Sequence, residues 1–206
     1  MLKVHLPNTR GPERAYIVGV LLGDFLGVDY EVVLEARERV SIFTAGGSEI
    51  SLSDELFALA DGDWLTAKML PRFCESVVLD MPFSSDVVTV ESTFPLIGWG
   101  HEFSEEAVAE LNVRGVKLNV DIFGVAFFFL SRCEEYFCHN LDHYQRFCSK
   151  ESFAGKHGLL DRPVVNEYLE LLWATLKYLS PDLQRKPRQY RMLLSHDVDI
   201  PFDLAF

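Results

Sequence analysis

The sequence has few cysteines, no long hydrophobic run and a shortage of basic residues. Four cysteines in 206 residues (Cys74, Cys133, Cys138 and Cys148) are too few for a disulfide-built scaffold, so reduced thiols are expected. The longest apolar run, IFGVAFFFL at 122–130, has about half of the ~20 residues that a membrane-spanning helix requires. Lys and Arg total 19 against 31 Asp and Glu, and this net charge of -12 disfavours binding to nucleic acids or anionic membranes.

The apolar segment near the N-terminus, AYIVGVLLGDFLGV, does not have the form of a secretion signal. Asp24 interrupts it, and no small-residue cleavage site follows. We expect an internal amphipathic helix over 13–26 that ends at Gly27. Because the sequence shows neither a signal nor a membrane segment, a cytoplasmic location is expected.

The first half of the chain reads mainly as strands. Hydrophobic residues make up 49% of the chain and include 16 Phe, which is enough apolar surface for one sizeable core. MLKVHL alternates as a strand does, and 30–52 predicts two or three antiparallel strands with a break at Gly46-Gly47. A short helix is expected over 53–59, because Ser53 is a good N-cap residue.

The second half reads mainly as helices. A helix of roughly 17 residues is expected from Val120, followed by a polar loop. A second amphipathic helix, VVNEYLELLWATLKYL, lies between Pro163 and Pro181. Ser104 indicates the start of a short helix, while 61–103 has no clear pattern. The expected fold is therefore α/β, a mixed β-sheet with flanking helices, with long helices in the C-terminal half.

The segment LLSHDVD carries the densest candidate chemistry. If YRMLLSHDVD is a strand, Asp197 and Asp199 lie on one face and His196 on the other. Two carboxylates at a strand end suit a divalent metal, or one metal ligand and one general base. The alternative is that they cap a turn before Pro201. A complete small hydrolase would need a further His or Glu ligand from residues 1–190.

A polar cluster follows the first of these helices. It comprises Arg132, Glu134, Glu135, Tyr136, Asp142, His143 and Arg146. Two interpretations remain open: ion pairs that order the long loop, or a pocket that holds a polar ligand. Zinc is the weaker hypothesis for this region, because its cysteines and histidines (Cys133, Cys138, His139, His143 and Cys148) lack a paired C-x-x-C spacing.

Four segments together resemble a known but uncharacterised bacterial domain. They are FGVAFFFLSRCEEYF, DHYQRF, GLLDRPVVNEYLELL and LLSHDVD, and the resemblance is clearest over 120–200. That domain precedes the catalytic domain in one group of polysaccharide deacetylase-like proteins. Polysaccharide deacetylases are distorted (β/α) barrels that remove acetyl groups from N-acetylated sugars with a divalent metal.

The resemblance implies roles for the last residues of the chain. SHDVD looks like a variant of the first deacetylase motif, in which Asp197 would be the general base and Asp199 a metal ligand. Val198 separates carboxylates that are adjacent in the usual motif, and no His-x-x-x-His follows to complete the site. A zinc-like ion is therefore expected only in a longer protein, and none in this chain alone.

These features predict an accessory domain over 1–180, a linker over 181–188, and the first strand of a truncated deacetylase barrel over 189–206. The chain alone is expected to be inert. Its expected partners are its own C-terminal catalytic domain, an N-acetylated sugar polymer and a second copy held by exposed apolar surface. The alternative is an independent module that binds a small molecule or protein through Arg132, Glu134, Glu135, His143 and Arg146.

Overall fold

The computed structural model describes residues 1–99, 108–139, 141–187 and 189–195. Within them, the strands are β1 (Leu2–Pro7), β2 (Tyr30–Glu35), β3 (Val40–Phe43), β4 (Glu49–Leu52), β5 (Arg72–Val77), β6 (Phe94–Gly98), β7 (Ala109–Asn112) and β8 (Gly115–Leu118). The helices are α1 (Gly11–Val18), α2 (Ile122–Ser131), α3 (Glu134–Phe137), α4 (Phe153–Lys156) and α5 (Val164–Leu179). The α/β class is confirmed.

The main sheet is mixed, as the sequence predicts. Its six strands lie in the order β2-β1-β3-β4-β8-β7. The β1–β2 and β4–β8 pairs are parallel, whereas β1–β3, β3–β4 and β7–β8 are antiparallel. Consequently β1, β2, β4 and β8 all run in one direction, and their carboxyl ends lie at the same edge of the sheet. A separate two-stranded antiparallel sheet is formed by β5 and β6.

The N-terminal 35 residues form a strand–helix–strand unit. α1 continues as a π-helix over Gly19–Leu26, and Gly27 ends it with a φ of 61°, a conformation that glycine adopts at little cost. The predicted helix is thus confirmed. The prediction of antiparallel pairing throughout 30–52 is wrong for β2, because the helical crossover returns the chain parallel to β1. The β3–β4 hairpin with its turn at Gly47 is confirmed.

The strand β1 buries one face in the core, and the helices pack against one another. Leu2, Val4 and Leu6 of β1 are buried while Lys3 is exposed, so alternation along the strand separates core from solvent. α2 packs against both α1 and α5 and is buried from Ile122 to Phe128. None of the described helices is both long and apolar enough to cross a membrane.

Two predicted helices differ in the structure. Residues 53–59 are not helical. They form a loop that distant residues hold in place: Asp54 pairs with Arg14, and the Asp121 side chain accepts the backbone N–H groups of Glu55 and Leu56. The predicted 17-residue helix is divided at Arg132, whose left-handed φ of 54° ends α2 after ten residues. Of the helices in the described part of the C-terminal half, α5 is the long one, with 16 residues. The predicted helix at Ser104 lies outside the described residues.

The start of β8 depends on a glycine. Gly115 has a φ of 155°, and a Cβ there would lie 1.9 Å from the Glu49 carbonyl oxygen at the start of the parallel β4–β8 pair. Gly115→Ala is expected to lower the free energy of unfolding by about 2–4 kcal/mol, measured by urea denaturation. Gly62→Ala is the control, since nothing lies within 4 Å of its added Cβ. Equal stabilities of the two variants would contradict this account.

Candidate functional site

Three loops meet at the sheet edge where β1, β4 and β8 end. In open α/β sheets, ligands bind outside the carboxyl ends of parallel strands, so this edge is a candidate binding or active site. The loop after β1 leads into α1 and Arg14, the loop after β4 brings Asp54, and the loop after β8 brings Asp121. All three side chains are buried.

Arg14 and Asp54 form a buried bidentate ion pair. The Arg14 Nη1 and Nη2 atoms donate to the two Asp54 carboxylate oxygens at 2.6 and 2.7 Å. Arg14 Nε donates to the Thr9 carbonyl at 2.7 Å, and the guanidinium lies 4.8 Å from the centre of the Phe57 ring. Planar fork geometry and complete hydrogen bonding are the conditions under which buried charges are tolerated.

Asp121 begins α2 and also fixes the loop after β4. Its Oδ1 atom accepts the Gly124 N–H at 2.7 Å as a helix cap, and its Oδ2 atom accepts the Glu55 and Leu56 N–H groups at 2.8 and 2.9 Å. Burial, supported by the negative charge of Asp54, raises the pKa of Asp121 to about 7, although the three N–H donors favour its charged form.

These three side chains hold the three loops together at the sheet edge. The carboxylates of Asp54 and Asp121 point at donors from the protein itself. No group of three or more His, Cys, Asp or Glu side chains within the described residues could hold a metal ion. The sequence carried a signal that was missed: Asp121 immediately precedes an apolar helix, as N-cap residues do.

The predicted cluster at 132–146 divides into local contacts. Arg132 Nε and Nη2 donate to the Glu135 carboxylate at 2.6 and 2.8 Å, and Arg146 Nε and Nη2 donate to Asp142 at 3.0 and 2.8 Å. Within the described residues, no hydrogen bond or ion pair joins these two pairs. The Arg132–Glu135 pair joins the residue that follows α2 to α3. The Arg146–Asp142 pair closes the turn that contains Tyr144.

The remaining members of the cluster have separate environments. Glu134 is buried and accepts the Phe153 N–H at 2.6 Å, and its pKa is raised by burial. His143 contacts Tyr144 with ring centroids 3.7 Å apart and the ring planes tilted by 43°, and Tyr136 is exposed. The structure thus supplies the ion pairs of the first interpretation, while binding of a ligand or partner by this cluster stays a prediction.

The carboxylates of the C-terminal motif cannot be placed in this geometry. His196, Asp197 and Asp199 lie outside the described residues. The preceding segment, 189–195, is described and is not paired with a strand of either sheet. Its apolar side chains are highly exposed, with exposed fractions between 66% and 89% for Tyr190, Met192, Leu193 and Leu194.

The predicted linker is fixed to the domain over residues 181–186. Arg185 Nη1 lies 2.8 Å from both carboxylate oxygens of Glu170 on α5, and its guanidinium lies 5.2 Å from the centre of the Trp173 ring. The Lys186 N–H donates to the Leu26 carbonyl at 2.7 Å. The segment therefore bridges α5 and the end of the π-helix before it reaches the exposed residues.

A family model covers residues 2–181, which include both sheets, every helix of the described residues and the buried side chains at the sheet edge. The chain belongs to DUF7033, a protein family of unknown function. No curated protein and no solved structure matches the chain. The DUF7033 match includes Arg14, Asp54 and Asp121, and it ends where the fixed segment before the exposed tail begins.

The buried ion pair of this DUF7033 domain can be tested with a double-mutant cycle. Arg14→Met is expected to lower the free energy of unfolding by about 3–5 kcal/mol, because Asp54 remains buried without its partner. Adding Asp54→Leu should restore most of that loss, as measured by urea denaturation. As a control, Arg146→Met breaks an exposed pair and is expected to cost less than about 1 kcal/mol. Additive effects of the two buried substitutions would refute the pairing.

Asp121 is expected to make stability depend on pH. Its folded pKa of about 7 lies above the usual value near 3.8, so the folded state holds the proton more tightly and this contribution is lost as pH rises from about 4 through 7. The wild-type free energy of unfolding minus that of Asp121→Asn should fall over this range. Asp161→Asn removes an exposed carboxylate and provides the control. A difference that stays constant from pH 4 to 8 would show that Asp121 does not titrate there.

Proposed function

We propose that the chain is the accessory domain of a metal-dependent polysaccharide deacetylase and that it sets the position of the catalytic domain's first strand. The observation that carries this proposal is that residues 181–186 are fixed to the domain, a few residues before the exposed apolar side chains that begin at Tyr190. Membership in DUF7033 assigns no activity, so the proposal depends on this geometry and on the resemblance of SHDVD to the first deacetylase motif.

A fixed connection transmits position, whereas a free linker does not. Glu170 is buried on α5, so the Arg185 contact ties the connection to the core of the domain. Lys177 adds a further contact, because its ammonium group donates to the Leu183 carbonyl at 3.1 Å. Contacts along this segment restrict the directions in which the following residues can leave, which reduces the entropy lost when two domains dock.

The exposed stretch has the composition of a buried strand. Tyr190, Met192, Leu193 and Leu194 lie within five residues, and a run of large exposed apolar side chains marks a surface that another element covers. Strands of parallel barrels are covered on both faces and are therefore near-continuously apolar. The stretch thus fits the first strand of a barrel supplied by the residues that follow it.

The motif after this stretch supplies part of a metal site. Asp199 would be one ligand of a divalent ion and Asp197 the base that takes a proton from water, as the resemblance implies. Such an ion lowers the pKa of bound water and polarises the acetyl carbonyl. Two carboxylates do not complete a metal shell, so further ligands from elsewhere in the protein would be needed.

The test compares the 1–206 chain with the polypeptide extended by the residues encoded after Phe206. With zinc, the extended protein is expected to release acetate from acetylated chito-oligosaccharides, while the 1–206 chain does not. Asp199→Asn in the extended protein should lower this rate by at least about a hundredfold, because a metal ligand is lost. Asp182→Asn, in the connecting segment, should leave it unchanged.

Three results would contradict the proposal. They are a stop codon directly after Phe206, deacetylation by the 1–206 chain itself, and an extended protein whose acetate release does not respond to Asp199→Asn. Circular dichroism of each variant checks that a loss of rate in Asp199→Asn reflects the loss of a metal ligand and not unfolding.

A further inference from the structure

A small hollow lies between the two-stranded sheet and the segment that connects its strands. Its volume is about 200 Å³, below the roughly 300–1,000 Å³ of sites for drug-sized ligands, so it suits a single ring-sized group. Five hydroxyl-bearing residues line it, namely Ser84, Ser85, Thr89, Ser92 and Thr93. The other lining residues are apolar, among them the fully buried Phe94.

The hollow is lined without a charged side chain, although charged residues make up 24% of the chain. Hydroxyl groups both donate and accept hydrogen bonds, so they match a neutral polyhydroxyl ligand better than an ion. Within the described residues, the hydroxyls of Ser84, Ser85 and Ser92 make no hydrogen bond. Those of Thr89 and Thr93 donate to Glu91, to its carbonyl and its carboxylate respectively. Three hydroxyls therefore remain available to a ligand.

One wall of the hollow is held by buried charges. Arg162 Nη1 donates to Glu91 at 2.8 Å and Nε donates to Glu167 at 2.7 Å, and Arg162 also donates to the Thr93 carbonyl. Glu167 in turn accepts the Val90 N–H at 2.9 Å. Arg162 and Glu167 are both largely buried, so two buried charges fix the backbone of 90–93.

The part of the lining that contains Ser84 and Ser85 is next to a residue held by aromatic packing. Phe83 is buried and lies against Tyr178 of α5, with ring centroids 5.0 Å apart. The following residues, Ser84–Asp86, form a single 3₁₀ turn that presents both serines to the hollow. Walls that are already fixed lower the entropic cost of binding, which is the property that separates a binding site from an incidental surface depression.

We propose that this hollow binds one N-acetylated sugar ring of an uncharged polysaccharide. The hydroxyls would contact the hydroxyl groups of the ring, and the apolar wall, with the exposed Val78 at its rim, would contact the ring carbons and the acetyl methyl group. The choice of an N-acetylated sugar rests on the proposed function, whereas the neutral polyhydroxyl character follows from the lining. The domain would then hold substrate as well as position the catalytic domain.

The experiment titrates tri-N-acetylchitotriose into the 1–206 chain by isothermal calorimetry. Saturable binding is expected, and Ser85→Trp should weaken it at least about tenfold, because the indole occupies the hollow. Ser85 is exposed, so the variant is expected to stay folded, which its melting temperature checks. Ser149→Trp places the same side chain at an exposed serine outside the hollow and should bind as the wild type does.

Two comparison ligands define the specificity. The de-N-acetylated trimer and inorganic phosphate should each bind at least about tenfold more weakly than the acetylated trimer, because neither is a neutral N-acetyl sugar. Absence of saturable binding, unchanged binding by Ser85→Trp, or equal binding of the de-N-acetylated trimer would overturn the inference. Because this assay needs neither zinc nor residues after Phe206, its failure is distinguishable from failure of the proposed function.

Discussion

The buried pair between Arg14 and Asp54 is the contact on which the arrangement of this domain depends. It joins α1 to the loop after β4 across 40 residues of sequence, in a place where an unpaired charge would be severely destabilising. Asp121 adds a second connection, because its side chain binds the same loop and the start of α2. The sheet edge that commonly carries ligands in α/β proteins is here closed by the protein's own side chains.

The hydroxyl-lined hollow and the connecting segment 181–186 lie elsewhere on the domain. α5 organises them, because its first turns hold Arg162 and the hydroxyl-lined segment through Glu167, and its middle holds the connecting segment through Glu170. One buried helix thus links the proposed sugar site to the exit of the chain. Under the proposed function, this shared rigid element would hold the sugar site and the connecting segment in a constant relation.

In the polar cluster at 132–146, the sequence indicates which residues pair but not how the backbone runs between them. Arg132 and Glu135 pair across three residues, and Asp142 and Arg146 pair across four, which are spacings that sequence alone suggests. What the sequence did not reveal was the break of the helix at Arg132, since a left-handed arginine has no helix-breaking neighbour to announce it. The break turns Glu134 inward to cap α4 and leaves Arg132 largely exposed.

Local periodicity by itself determined β1, the first helix and its end at Gly27, the β3–β4 hairpin and α5, because each depends on contacts within a few residues or on one apolar face. Only the tertiary structure decided that β2 runs parallel to β1, that Asp121 binds the loop at 53–59, and that Arg162 shapes a surface hollow through Glu91 and Glu167. Those outcomes depend on contacts between residues that lie tens of positions apart in the chain. The sequence alone does not indicate which distant charged residues are buried together.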